Sequence, residues 1–206
     1  MSTIRILIAD DHTIVRIGLT ALLGAEKDFE VVGEAKNGLE AVKSAKALQP
    51  DVVIMDLVMP KKNGIDATSE ILEALPTAKV LVLTSFGTSD GIARALQAGA
   101  AGAIMKTADD GALVTAIRKV MRGERVVSPE IRRMLDEDPP VPELSVRQRE
   151  ILVAITAGRS NKEIATSLGI RKDSVEDYLR TLFSKLGAAN RTEAVAIALR
   201  KHLLKI

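Results

Sequence analysis

The sequence predicts two domains of different fold class. Residues 1–122 alternate short apolar runs with amphipathic helical patterns, which predicts an α/β domain with a five-stranded parallel sheet. Residues 123–142 are acidic and rich in proline, which predicts a linker. Residues 143–206 repeat a helix-start pattern, which predicts an all-α domain of four helices containing a helix-turn-helix.

The apolar runs of the first domain predict its strands, at 4–9, 29–33, 52–55, 80–83 and 101–105. The amphipathic segments predict helices at 13–25, 38–48, 64–75, 88–98 and 109–122. Strands that are apolar throughout and separated by helices are typical of a parallel sheet covered on both faces. Ligands of such a sheet bind outside the carboxyl ends of its strands, so the functional residues are expected there.

The predicted linker begins at a glycine that ends a helix and finishes in a proline-rich segment. Gly123 is placed to end the preceding helix. Pro139, Pro140 and Pro142 disfavour helix and restrict the backbone. Between them we expect one short helix at 129–135.

Helix starts and stops organise the second domain. Ser145, Ser160 and Asn190 are each followed three positions later by Gln or Glu, the pattern of a capping box. Glycines stand where helices should end, at positions 158, 169 and 187. A helix to residue 168, a three-residue turn and a longer helix from 172 to 183 have the spacing of a helix-turn-helix.

Composition excludes several classes of protein. The 206 residues contain no cysteine, which excludes disulfides and thiolate chemistry, and only 2% aromatic residues, which disfavours a base-stacking platform. No apolar run reaches the roughly 20 residues needed to cross a bilayer, and the N-terminus lacks the features of a signal peptide. We therefore expect a cytoplasmic protein without membrane contact. Net charges of −1, −2 and +5 for residues 1–122, 123–142 and 143–206 favour nucleic acid as the partner of the second domain.

Polar residues stand at the predicted carboxyl ends of four strands. Asp10 and Asp11 follow the first strand, Asp56 follows the third, Thr84 ends the fourth and Lys106 ends the fifth. Three carboxylates repel one another unless a cation lies between them, and hard oxygen ligands suit Mg²⁺. With a hydroxyl and an ammonium at the same edge, the set predicts a phosphoryl site in which one aspartate acts as nucleophile.

Each of these residues also has an ordinary structural interpretation. An aspartate after a strand is usually a turn or a helix cap, Lys106 could be a solvated surface lysine, and Thr84 a strand residue with a satisfied hydroxyl. Five suitable residues at four strand ends favour the functional interpretation. The first strand-to-helix turn lacks a glycine-rich loop, which disfavours dinucleotide binding.

The motifs of the first domain resemble those of two-component response-regulator receiver domains. They are Asp10-Asp11, residues 55–60 with Gly64, residues 83–85 and residues 105–106, and the resemblance covers about residues 3–122. It implies a flavodoxin-like fold, Mg²⁺ binding and a sensor histidine kinase as partner. The resemblance implies that Asp56 is the phosphoacceptor and that Thr84 and Lys106 contact the phosphoryl group. It implies that the metal ligands are Asp10, Asp11, Asp56 and the Val58 carbonyl.

One position of this domain departs from the receiver pattern. Many receivers carry an aromatic switch residue three positions before the lysine, whereas this chain has Ala103. Phe86 could take a related part or could serve in packing.

The second domain has the composition of a DNA-binding module. A helix-turn-helix with net charge +5 is expected to place its second helix in a DNA major groove. A solvated helical bundle is the alternative. The candidate cations on or beside the second helix are Arg171, Lys172, Arg180 and Lys185, with Asn161, Lys162 and Arg191 at neighbouring helix starts, where phosphates bind.

The motifs of this domain resemble those of the LuxR/NarL-type output domain. They lie at residues 144–150, 158–165, 168–170, 182–187 and 190–195. The whole architecture is thus similar to that of NarL/FixJ-family transcriptional regulators. The resemblance implies that the last helix, around residues 195–199, forms a dimer contact.

The recognition helix departs from the family's usual residues. Arg171 stands where a small capping residue is expected, and Ser174 where a threonine is expected. Glu176 stands where a lysine is expected, and Tyr178 where a histidine is expected. Glu176 and Asp177 oppose binding to phosphates, but a glutamate can accept a hydrogen bond from cytosine N4. We predict DNA binding with altered sequence preference or reduced affinity.

These patterns support one leading function and two alternatives. The leading one is a phosphorylation-controlled transcriptional regulator that dimerises on activation and binds double-stranded DNA. The alternatives are a DNA binder independent of phosphorylation, indicated by Ala103, and a receiver that acts through protein contacts with a degenerate output domain, indicated by Glu176. A separate enzyme is disfavoured, because the chain is too short for a domain that encloses a substrate.

Overall fold

A computed structural model describes residues 3–85, 88–201 and 203–204. Within these residues, the chain divides into two compact units between Pro139 and Pro140. The first unit is a parallel sheet covered by helices, and the second is helical. The predicted combination of fold classes is confirmed.

The strands are β1 (Ile4–Ala9), β2 (Phe29–Ala35), β3 (Val52–Met55), β4 (Lys79–Thr84), β5 (Gly102–Met105) and β6 (Val126–Val127). The helices of the first unit are α1 (Thr13–Gly24), α2 (Gly38–Leu48), α3 (Gly64–Ala74), α4 (Ser89–Gln97), α5 (Asp110–Met121) and α6 (Pro129–Glu137). Those of the second are α7 (Val146–Thr156), α8 (Asn161–Leu168), α9 (Lys172–Leu186) and α10 (Arg191–Arg200).

The sheet has the order β2-β1-β3-β4-β5-β6, and every pairing is parallel. Because side chains alternate along a strand, Ile6 and Ile8 of β1 face α1 and α5, whereas Leu7 and Ala9 face α2 and α3. The carboxyl ends of β1, β3, β4 and β5 consequently lie along one edge. This edge is where the sequence places its acidic residues.

The sheet has one strand more than predicted, and part of the predicted linker belongs to the first unit. β6 pairs with β5 because Gly102 has no side chain there: a Cβ at Gly102 would lie 2.3 Å from the carbonyl oxygen of Val126. The short helix expected at 129–135 is α6, and it packs against the sheet through Ile131. Only the residues after Pro139 leave the first unit.

The helix signals of the second unit are largely confirmed. Ser145 and Ser160 form complete capping boxes. Asn190 caps α10, but the carboxylate of Glu193 accepts from Ala189 N–H instead of returning to Asn190. The glycines at 158, 169 and 187 have positive φ and lie just after helix ends, as expected for helix stops.

Apolar side chains from all four helices form the core of this unit, including Ile151, Ile164, Val175, Leu182 and Ala198. None of the helices in the described part of the chain combines the length and apolar character that a membrane span requires.

Candidate functional site

Strand register brings the predicted acidic residues together. Ala9 of β1 pairs with Met55 of β3, so the residues that follow them, Asp10 and Asp56, leave the sheet side by side. Met105 of β5 pairs in turn with Thr84 at the end of β4. Backbone hydrogen bonds hold these strand ends together: Asp56 N–H donates to Ala9 O at 2.8 Å, and Lys106 N–H donates to Thr84 O at 2.8 Å.

Lys106 bridges two buried carboxylates. Its Nζ lies 2.7 Å from Asp56 Oδ2 and 2.5 Å from Asp10 Oδ2. Asp10 is 2% exposed and Asp56 5% exposed, so water screens these charges weakly. The ammonium therefore offsets the repulsion between two carboxylates that the fold places together.

Burial and hydrogen bonding shift the pKa values of this pair. Loss of hydration raises the pKa of Asp56 above its ordinary value, and the opposing contacts with Lys106 do not cancel that effect. Burial acts against the charged form of Lys106, but its hydrogen bonds to Asp10 and Asp56 outweigh burial, so the pKa of Lys106 is raised. Asp56 is thus a poorly hydrated carboxylate held beside a lysine that stays charged.

Asp11 and His12 extend the acidic cluster toward solvent. Nδ1 of His12 lies 2.8 Å from Asp11 Oδ1 and 3.2 Å from Asp10 Oδ1. Little solvent reaches Asp11 Oδ1, and among the described residues its close contact with His12 is not aligned as a hydrogen bond. His12 is a residue of this site that the sequence pattern did not predict. Its position directly after Asp10-Asp11 is the signal that could have identified it.

The donor set is suited to a metal ion. One ligand atom from each of Asp10, Asp11, His12 and Asp56 can be chosen so that all lie within 4.8 Å of one another. Three carboxylates facing one lysine leave an excess of negative charge, and carboxylate oxygens are the ligands that hard divalent cations prefer. The residues therefore fit a divalent cation.

Close backbone contact positions the loop that follows Asp56. A Cβ at Gly64 would lie 1.9 Å from the carbonyl oxygen of Asp56, so only glycine allows α3 to begin this close to it. Gly64 N–H donates to Leu57 O at 3.0 Å, and Val58 N–H lies 3.4 Å from Asp56 Oδ1. The Val58 side chain is exposed, while its backbone N–H lies beside the Asp56 carboxylate.

Of the three positions considered for the switch, two lie on strands of the sheet. Ala103 is fully buried on β5, in a cluster that includes Ile131 of α6. Thr84 is buried at the end of β4. Phe86 lies outside the described residues.

In the second unit, α8 and α9 form the predicted helix-turn-helix. Gly169 ends α8 in the left-handed conformation, with φ of 63°, and α9 begins three residues later. Val175, Leu179 and Leu182 face the core, so the opposite face of α9 is exposed. This exposed face carries the residues predicted to meet DNA.

Acidic residues pair with the cations of that face. Arg171 lies 3.2 Å from Asp173, Lys172 lies 3.6 Å from Glu176, and Arg180 lies 3.2 Å from Asp177. All six side chains are about half exposed or more, so each pair contributes little to stability. The pairs nevertheless lower the positive potential of the face.

Two other candidate cations have partners inside the unit. Lys185 Nζ donates to Glu143 O at 2.7 Å and to Gln148 Oε1 at 3.1 Å. Arg191 donates to Asn161 Oδ1 at 3.4 Å and to the carbonyl of Arg159. Lys162 is exposed at the start of α8, and Ser174 is half-buried in the first turn of α9.

Comparison with known proteins identifies the family. Residues 6–118 match the family described as response regulator receiver domain, and residues 142–198 match bacterial regulatory proteins of the luxR family. The chain belongs to the response regulators that join a receiver domain to a LuxR-type DNA-binding domain.

Two of the relatives span nearly the whole chain, and a third spans two thirds of it. Response regulator protein VraR of Staphylococcus aureus is 40% identical over 208 residues, covering 98% of this chain and 100% of its own. The crystal structure of response regulator ChrA of a heme-sensing two-component system is 35% identical, with a TM-score of 0.59 and coverage of 99% and 100%. A LuxR-family response regulator from Aurantimonas sp. SI85-9A1 is 37% identical, with a TM-score of 0.63, and matches 66% of this chain and 98% of its own.

Proposed function

We propose that a sensor histidine kinase phosphorylates Asp56, and that this change promotes dimerisation and DNA binding by the second unit. The observation that carries the proposal is the buried Asp56 carboxylate, held by Lys106 beside Asp10, in a chain that also contains a helix-turn-helix. We place the protein in the cytoplasm, where chromosomal DNA lies.

The chemistry assigns one role to each residue. A carboxylate oxygen of Asp56 attacks the phosphorus of the kinase's phosphohistidine, the P–O bond forms as the P–N bond breaks, and the bonding pair leaves with the imidazole. The poorly hydrated state of Asp56 favours attack, since fewer water molecules must be displaced. Lys106 Nζ lies at hydrogen-bond distance from the Asp56 carboxylate. During transfer it would stabilise the negative charge on the phosphoryl oxygens.

The acidic cluster supplies the ligands for Mg²⁺. Asp10, Asp11 and Asp56 would hold the ion together with the backbone carbonyl of Val58. When bound, Mg²⁺ supplies positive charge to the phosphoryl oxygens during transfer. His12 lies at the edge of this set and offers a further ligand atom.

Phosphorylation changes the charge at the sheet edge, and Thr84 and Lys106 respond to it. The hydroxyl of Thr84, at the end of β4, would donate to a phosphoryl oxygen, and Lys106 would exchange a carboxylate partner for the phosphoryl group. Because Asp56 is itself modified, the protein acts as a switch and not as a turnover enzyme.

DNA binding is assigned to α9 and its neighbours. We propose that α9 enters the major groove, with Arg171, Lys172 and Arg180 at phosphates and Glu176 near base edges. Asn161, Lys162 and Arg191 lie at helix starts suited to the backbone. Leu199 on α10 is 45% exposed, which supports a dimer contact by this helix.

Phosphate labelling tests the phosphoacceptor. The wild-type protein and Asp110→Asn, which removes an exposed carboxylate at the start of α5, are expected to gain one phosphate, labile to alkali and hydroxylamine, from acetyl phosphate with Mg²⁺. Asp56→Ala is expected to gain none. Stoichiometric labelling of Asp56→Ala at another aspartate would overturn the assignment.

Binding to fragmented genomic DNA, with and without beryllofluoride as phosphoryl mimic, tests the switch. Enrichment of specific sites only with the mimic is the expected result. Equal binding in both states would favour a constitutive DNA binder, the alternative that Ala103 indicates. No specific binding in either state would favour action through protein contacts, consistent with the acids on α9.

A further inference from the structure

Helix α6 is docked on the receiver through one narrow apolar stripe. Ile131, Met134 and Leu135 recur at helical spacing and join a cluster with α4 and β5, and Ile131 is fully buried there. The other residues of α6, from Pro129 to Glu137, are exposed. The helix is thus amphipathic and packs its apolar side against β5 and α4.

The cluster beneath α6 is built from neighbours of the phosphoryl site. Leu57 directly follows Asp56, Val82 lies two residues before Thr84, and Ala103 lies three residues before Lys106. All three are in the same buried cluster as Ile131. Close packing transmits small displacements, so a shift of these backbone segments changes the space available to Ile131.

Polar contacts hold the two ends of α6. At its start, Ser128 N–H donates to Ala103 O at 3.1 Å. At its end, Ser89 Oγ donates to Asp138 Oδ2 at 2.8 Å, and Ser89 is the buried first residue of α4, the helix that follows β4. The position of α6 therefore depends on β5 at one end and on the start of α4 at the other.

Docking and helix formation are coupled in a segment this short. α6 has nine residues, fewer than the roughly 12–15 that an isolated helix needs to be even marginally stable in water. Away from the sheet it would lose its helical structure. The segment consequently has two states, docked and helical or released and unfolded.

We propose that α6 is a phosphorylation-responsive strap: it is docked while Asp56 is unmodified and released when Asp56 carries a phosphoryl group. This inference rests on the proposed function of Asp56. Movement of Thr84 toward the phosphoryl group displaces the start of α4, which separates Ser89 from Asp138, and movement of Leu57 changes the site of Ile131. Ile131 and Asp138 act through these neighbours and are positioning residues. Release lengthens the free chain before the DNA-binding domain.

Spin labels can measure the docking directly. Because the chain has no cysteine, Arg94→Cys on α4 and Asp136→Cys on α6, both exposed, give two specific labels in the full-length protein. A narrow distance distribution is expected without beryllofluoride, and a longer, broad one with beryllofluoride and Mg²⁺. An unchanged narrow distribution would overturn the proposal.

Docking of α6 and binding of the phosphoryl mimic are thermodynamically coupled, so the affinity for the mimic tests the proposal. A merely structural role of α6 would leave that affinity unchanged. If phosphorylation releases α6, then weakening the docking must raise the affinity for the phosphoryl mimic by the same factor. Asp138→Ala and Ser89→Ala remove the same hydrogen bond from opposite sides, and each is expected to raise beryllofluoride affinity roughly three- to tenfold, the effect of one hydrogen bond. Asp136→Ala, on the exposed face of α6, and Ser69→Ala on α3 are matched controls and should leave it unchanged.

The outcomes separate this inference from the proposed function. ¹⁹F NMR on the spin-labelled sample reports whether beryllofluoride binds at Asp56, with Asp56→Ala as the reference. Absence of binding in the wild type would overturn the proposed function and with it the strap. Binding with α6 still docked, or unchanged affinity in both Asp138→Ala and Ser89→Ala, would overturn the strap alone.

Discussion

Lys106 has a double task at the residue scale. It offsets the repulsion between the buried Asp10 and Asp56 carboxylates, and in the proposed function the same ammonium contacts the phosphoryl group. A buried ion pair contributes little net stability, but removal of one partner leaves an uncompensated buried charge, which is costly. The site is therefore stable only while positive charge, from lysine or from a metal ion, lies between the carboxylates.

We predict that Lys106→Met lowers the free energy of unfolding by about 3 kcal/mol in metal-free buffer, since it leaves two carboxylates buried together. Mg²⁺ should recover part of that loss, because an ion that binds only the folded state stabilises it. Urea unfolding followed by circular dichroism, with and without Mg²⁺, measures both effects.

The control for this prediction is Lys119→Met, which changes an exposed lysine on α5. It should alter stability by less than about 0.5 kcal/mol, with or without the metal. If Mg²⁺ stabilised Lys106→Met no more than the wild type, the carboxylates would not be the source of the loss.

At the element scale, α9 begins without a capping side chain. Arg171 has the extended N-cap backbone, with φ of −74° and ψ of 150°, but its side chain makes no cap hydrogen bond and instead lies near Asp173. By contrast, Ser160 caps α8 completely. The chain thus places a cation, which suits DNA, at a position where stability favours a small polar residue.

We predict that Arg171→Asn raises the stability of the second unit by about 1 kcal/mol and weakens DNA binding. Asparagine can accept from a free amide of the first turn, while loss of the cation removes a phosphate contact. Tyr178 is the sole tyrosine, the chain has no tryptophan, and Tyr178 packs on the core of this unit. Its fluorescence during urea unfolding therefore reports the second unit alone.

Arg171→Ala separates the two effects at the same position. It should weaken DNA binding as much as Arg171→Asn, without the gain in stability. Equal stability of the two variants would show that the first turn of α9 gains nothing from a side-chain cap.

At the scale of the whole molecule, charge is unevenly distributed, with the excess of positive charge in the residues after 142. The structure shows that this excess is not concentrated on α9, where Lys172 and Arg180 each have an acidic partner. The cations of α9 therefore add little net positive charge to that helix, and most of the excess lies on the other parts of this unit.

We predict that Glu176→Lys tightens DNA binding and steepens its salt dependence by about one to two units of log Kd per log salt, since it adds a cation and releases Lys172 from its pair. Fluorescence anisotropy with labelled DNA at several salt concentrations measures the slope.

Glu150→Lys makes the same change of charge on α7, where Glu150 pairs with Arg147. A smaller effect of Glu150→Lys than of Glu176→Lys on the salt dependence of DNA binding would locate the DNA interface at α9. Equal slopes for the two variants would show that net charge alone governs the binding.

The sequence by itself determined the fold classes, the strand ends that carry Asp10, Asp56, Thr84 and Lys106, and most helix boundaries, because apolar periodicity and capping chemistry are local. Only the tertiary structure decided that β6 and α6 join the receiver, since this depends on the space beside Gly102 and on the packing of Ile131 against residues of α4, β4 and β5 that are distant in the chain. It alone placed His12 against the carboxylates and paired the cations of α9. These are contacts between side chains, whose geometry the linear order of residues does not specify.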